Sequence, residues 1–168
     1  MTSQKNIILD ANQIQQKIRR IAYQIYENNS NEQEIVIAGI AANGYTFALE
    51  LEKCLKEISP LNIIMCEVLI DKKKPLNPMK TSIDTSVYIN KPLVLVDDVL
   101  NSGATLIYGI KHFLEVPLKR FKTAVLINRN HKNYPVKADF KGVSLSTTLQ
   151  EHVVVEFNVD GTNSAYLM

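Results

Sequence analysis

Several things are scarce in this chain. Only two cysteines occur, Cys54 and Cys66, twelve positions apart in apolar segments. No paired spacing joins them into a metal or redox motif, so buried free thiols in a reducing compartment are expected. Charge of one sign is scarce as well. Nineteen Lys and Arg stand against seventeen Asp and Glu, for a net charge of +2, too small by itself to mark a nucleic-acid binder. No apolar run approaches the ~18 residues of a membrane span. The opening MTSQKNIILD has no leader pattern, so the expectation is a cytoplasmic protein with no membrane partner. Repeats and low-complexity stretches are missing, which excludes solenoids and disordered arrays. The 168 residues suit one domain, 1–168, long enough to bury a core without staples.

What is there reads as alternating elements. Asp10 can cap a helix in which Ile14, Ile18, Ile21 and Ile25 recur at helical spacing. Glu34–Ile40 is a nearly continuous apolar run, as in a strand covered on both faces. The segment AANG follows, then Phe47, Ala48, Leu51, Cys54, Leu55 and Ile58 on one helical face, closed by Pro60. Asn62–Leu69 is again strand-like. Residues 70–91 are polar and basic with two prolines. They read as a long loop with a strand-like piece near Val87–Ile89, and long loops in compact domains are often functional lids. Strands at Leu93–Val96 and Thr123–Ile127 flank a helix carrying Leu106, Ile107, Ile110, Phe113 and Leu114. Shorter pieces, Val143–Leu145 and Val153–Phe157, and a turn at Asp160-Gly161 complete the chain. The expected class is α/β, a mainly parallel central sheet flanked by helices, with a small hood from the termini and tail.

The chemistry concentrates in LVLVDDVLNSGAT, residues 93–105. A buried strand ends on Asp97 and Asp98, at the carboxyl end where open α/β sheets bind ligands. Two adjacent carboxylates there are costly without a partner. Ribose hydroxyls suit them, because an ionised carboxylate only accepts hydrogen bonds. Asn101, Ser102, Gly103, Ala104 and Thr105 then open a helix. Small residues let backbone N–H groups approach a phosphate, and the helix dipole favours it. The two ends are about one ribose 5-phosphate apart. The plain alternative is a buried strand followed by an ordinary capped helix.

This run resembles the 5-phosphoribosyl 1-pyrophosphate (PRPP) motif of the type I phosphoribosyltransferase family. Three further stretches resemble its pyrimidine-operon regulators that double as uracil phosphoribosyltransferases. They are ILDANQIQQKIRRIAYQIYENN, IVIAGIAANGYTFALEL and AVLINRNHKNYPVKADFKGVSLSTT with VVVEFNVDG. The resemblance implies a type I phosphoribosyltransferase fold and transfer of phosphoribosyl from PRPP to a pyrimidine such as uracil. It also implies Mg²⁺ held indirectly at Asp97 and Asp98 through the substrate, and a homodimer. Asp97, Asp98 and Arg129 become the candidate catalytic residues, the last on pyrophosphate or base. Residues 101–105 become the PRPP site, and Ala41, Ala42, Asn43 and Gly44 the pyrophosphate loop. Lys72, Lys73 and Lys74 lie in the implied lid.

Two positions depart from the pattern. The family's pyrophosphate loop carries basic residues before its glycine, and 41–44 has none. An arginine is expected where Ala104 stands. Low turnover follows, and a non-catalytic PRPP or nucleotide sensor is the alternative. RNA binding, implied by the subgroup, needs Lys17, Arg19, Arg20, Lys132, Lys137 and Lys141 on one face. Solvated surface positions are the preferred reading of these six.

Overall fold

A computed structural model describes residues 5–146 and 151–168. Thr147 and Thr148 of the family-like tail lie outside them. The chain opens with β1 (Asn6–Leu9) and α1 (Ala11–Asn28). Asp10 caps that helix: its side chain accepts from the Gln13 N–H at 2.8 Å, and Gln13 Oε1 accepts from the Asp10 N–H at 3.0 Å. This reciprocal box satisfies two otherwise orphaned donors. Asp10→Ala is expected to lower stability by about 1 kcal/mol, read as an earlier urea midpoint at unchanged slope.

The middle of the chain follows as β2 (Glu34–Ile40), α2 (Asn43–Ile58), β3 (Asn62–Leu69), β4 (Lys80–Thr81) and α3 (Thr85–Tyr88). Then come β5 (Pro92–Leu100), α4 (Ala104–Phe113), β6 (Arg120–Arg129), β7 (Phe140–Leu145), β8 (Val153–Glu156) and β9 (Ser164–Leu167). Six strands form a sheet in the order β4-β3-β2-β5-β6-β7, parallel except for the edge strand β4. Both of its faces are covered. Ile35, Ile37, Val94 and Val96 pack with Ile14, Ile18, Phe47 and Leu51 of α1 and α2. Val36, Ala38, Leu93 and Leu95 pack with Tyr88, Leu106 and Phe113 of α3 and α4. That two-sided burial is why β2, and β5 as far as Val96, read as nearly unbroken apolar runs. The hood is an antiparallel sheet, β1-β9-β8. Among the described residues no helix is long and apolar enough to cross a membrane.

Several expectations need correction. Val87 and Tyr88 belong to a helical turn, not a strand, and buried Tyr88 meets Phe113 edge-on at 5.2 Å. Residues 80–91 are thus built into the fold by β4 and α3, which confines the exposed loop to 71–79. The strand over Leu93–Val96 continues to Leu100, because Asp97, Val99 and Leu100 keep pairing with Val125, Ile127 and Asn128. The strand over Thr123–Ile127 extends in both directions, to Arg120 and Arg129. Leu114 caps α4 and is 62% exposed, outside the core.

Candidate active site

Strand order reverses between β2 and β5, since α2 leads to β3 on one side and the chain continues to β6 on the other. The loops leaving the carboxyl ends of β2 and β5 diverge there and open a crevice, the usual ligand site of such sheets. These are the loop 41–44 and the run from Asp97 to Thr105. Gly44 lies directly on Asp97. A Cβ at position 44 would stand 2.8 Å from Asp97 Oδ1 and 3.1 Å from the Val96 carbonyl oxygen. The two segments are therefore one site. The Ala41–Ala42 peptide is cis. The Asn43 carboxamide donates to the Val155 carbonyl at 2.8 Å, which ties this loop to the hood.

Asp97 is 3% exposed. Its Oδ1 accepts from the Asp98 N–H at 2.9 Å. Burial, and then the neighbouring Asp98 charge, push its carboxyl well above the ordinary range, against a smaller opposing pull from Lys72. Lys72 Nζ stands 3.9 Å from the same Oδ1. A cavity of about 190 Å³ is lined by Lys72, Asp97, Asp98, Asn101, Ser102, Gly103 and Thr105. Acidic acceptors occupy one end and the start of α4 the other.

The end at the start of α4 is braced from behind. The Ser102 carbonyl accepts from the Asn133 and Tyr134 N–H groups at 2.9 and 3.1 Å, and Ser102 Oγ from the Ala104 N–H at 3.2 Å. Gly103 has φ +91°, a conformation glycine adopts at no steric cost. Sequence reasoning missed this buttress at 133–136. Its only local signal is the Asn133-Tyr134-Pro135 turn.

Arg129 lines a neighbouring cavity of about 630 Å³ with Asn101, Ser102, His131, Lys132 and His152. Its guanidinium donates to Asn101 Oδ1 at 3.3 Å. Lys73, Lys74 and Ala104 face a third space with Tyr108 and Tyr134 and do not line the Asp97 cavity. The RNA candidates divide. Arg20 donates to the Lys141 and Gly142 carbonyls at 2.6 and 2.7 Å. Burial, then Lys141 and Lys137, lower the Lys132 ammonium. Arg19 instead lies over the Tyr23 ring at 5.5 Å. Cys54 and Cys66 are buried free thiols, and burial pushes Cys66 up to about 11.

Among the described residues no group of three His, Cys, Asp or Glu side chains could hold a metal ion. The donor set present fits Mg²⁺ taken with substrate oxygens and water rather than in a protein cage, which is its common habit. Asp97 and Asp98 are the carboxylates on hand.

Residues 4–161 match the family model described as the phosphoribosyl transferase domain. A protein of Streptococcus agalactiae called bifunctional protein PyrR is 34% identical over 154 residues, covering 89% of this chain and 88% of its own. The PyrR of Streptococcus thermophilus is 32% identical, covering 98% and 97%. Among solved structures, the hypoxanthine phosphoribosyltransferase of Trypanosoma cruzi superposes with TM-score 0.76 at 15% identity, covering 96% and 95%. A hypoxanthine-guanine phosphoribosyltransferase of Bacillus anthracis gives 0.74 at 21%, covering 90% and 88%.

Proposed function

The chain belongs to the phosphoribosyl transferase family, with the type I phosphoribosyltransferase fold and PyrR proteins among its relatives, and on that premise we propose that it binds PRPP and transfers phosphoribosyl to a pyrimidine such as uracil. In that reaction a lone pair of the base nitrogen forms the bond to C1 of the ribose. The bond from C1 to oxygen breaks and its electron pair leaves with pyrophosphate. The base N–H proton is lost to water.

The observation carrying this reading is the seating of Gly44 on Asp97. It puts the 41–44 loop beside the acidic pair, as a substrate bearing both a ribose diol and a pyrophosphate requires. Asp97 and Asp98 accept from the ribose hydroxyls. Ser102, Gly103, Ala104 and Thr105 hold the 5′-phosphate, partly through backbone N–H groups at the start of α4. In the loop Ala41–Gly44, the Ala41 N–H is held by the Val68 carbonyl at 2.9 Å, which leaves the N–H groups of Ala42, Asn43 and Gly44 for the pyrophosphate. Arg129 stands at the neighbouring cavity, where the base enters. Mg²⁺, when bound, offsets charge on the pyrophosphate.

Neither 41–44 nor position 104 carries a cation, and a single lost donor of this kind costs 10²–10³ in rate. Turnover is therefore expected to fall below the ordinary range of roughly 1–10³ s⁻¹. The test is PRPP consumption against a panel of bases with Mg²⁺ present. Slow consumption with uracil supports the reading. PRPP binding without consumption of any base supports the sensor instead, which those uncharged positions favour.

A further inference from the structure

We propose that Lys72 is the cation that meets the departing pyrophosphate, supplying the fixed charge that 41–44 and Ala104 lack. The inference rests on the transferase reading above and assigns one residue within it. Three lysines stand side by side at 72–74, and the sequence gives no reason to separate them. The fold does. All three border the space beside Tyr108 and Tyr134, but of the three Lys72 alone also lines the cavity of the acidic pair. Its Nζ is 3.9 Å from Asp97 Oδ1, and a Cβ added at Gly44 would stand 2.8 Å from the same oxygen. The ammonium therefore stands where the pyrophosphate loop and the acidic strand converge.

The segment behind Lys72 is held in shape. Asp71 Oδ1 accepts from the Lys73 and Lys74 N–H groups at 3.0 and 3.1 Å, and Asp71 Oδ2 from the Asn77 carboxamide at 3.1 Å. That turn fixes the backbone from which the Lys72 stem reaches inward. The Lys72 side chain is 48% exposed, so it can exchange partners. Without ligand it stands beside buried Asp97 and offsets part of its charge. When the ribose hydroxyls take over Asp97, the ammonium is released to the pyrophosphate oxygens. Lysine suits this exchange because it is a point charge on a flexible stem.

The test compares PRPP with a nucleoside monophosphate, which has the same ribose phosphate and no pyrophosphate. Lys72→Ala is expected to weaken PRPP affinity and lower kcat/KM for PRPP by roughly 10²-fold or more. Its affinity for uridine monophosphate, read by calorimetry, stays equal or rises, because a competitor for Asp97 is gone. Lys73→Ala and Lys74→Ala lose less, and Lys72→Arg restores most of the PRPP affinity. PRPP parameters within twofold of wild type in Lys72→Ala would overturn the assignment. Equal losses for PRPP and the monophosphate would also overturn it, since they mark a structural role. If the wild-type protein neither binds nor consumes PRPP, the transferase reading itself fails, a result distinct from both.

Discussion

Asp97→Asn combined with Asp98→Asn is expected to abolish binding of PRPP and of nucleoside monophosphates. The substitution keeps side-chain size. It also keeps the acceptor that the Asp98 N–H uses at 2.9 Å, so the strand retains its local bonding. What it removes is charge, and with it two groups that only accept. Hydrogen bonds to a charged partner are worth roughly 1.5–3 kcal/mol each. Losing two weakens binding by roughly 10²–10⁴-fold on the usual conversion of 1.4 kcal/mol per decade. Calorimetry with Mg²⁺ and PRPP measures it, and unchanged affinity would remove the acidic pair from the site.

The same carboxylate makes the opposite prediction for the unliganded fold. Burial raises the Asp97 carboxyl above the unfolded value of 3.8. A raised acid binds its proton more tightly folded than unfolded. Stability therefore falls as pH rises from 3.8 through the folded value, and above it the whole cost of burying the charge is present. Asp97→Asn alone is expected to melt at or above the wild-type temperature at neutral pH, with the gap narrowing as pH falls toward 3.8. A residue that binds better than it folds belongs at a functional site.

Contiguity decided what could be read from the chain. Glu34–Ile40 and Asn62–Leu69 were legible to the residue, the first because a strand buried on both faces is almost wholly apolar, the second because its apolar run is broken only at Glu67. The acidic pair and the phosphate loop were legible because thirteen consecutive residues carry both. The far end of β5 was not. Aspartates look like a strand end to any hydrophobic pattern, yet their backbone goes on pairing with β6. Strand β9 escaped because four residues carry little pattern, and its pairing with β1 joins opposite ends of the chain. Tertiary contact also turned Val87 and Tyr88 helical, through the seat of Tyr88 beside Phe113. Within the site, the missing knowledge was distance. Nothing local to Lys72 or Gly44 reveals that both converge on Asp97 Oδ1.

Gly44 gives the second large effect. Its substitution by alanine is expected to cost at least tenfold in PRPP affinity and roughly 1–3 kcal/mol of stability. The reason is space rather than backbone conformation. The added Cβ would lie 2.8 Å from Asp97 Oδ1, 3.0 Å from Asp97 Cα and 3.1 Å from the Val96 carbonyl oxygen. Two of those three are strand backbone in the middle of the sheet and cannot swing aside. The first turn of α2 must lift, taking the 41–44 loop from the acidic pair and straining the Asn43 tie to Val155. Gly161→Ala supplies the contrast. Gly161 has φ +82°, with nothing within 4 Å of an added Cβ. Its cost is conformational alone, roughly 1–2 kcal/mol, with PRPP affinity untouched. Two glycine variants of similar stability but different affinity would show that the pyrophosphate half of the site depends on how closely α2 is seated against β5. Equal affinities would mean that the loop works without that contact.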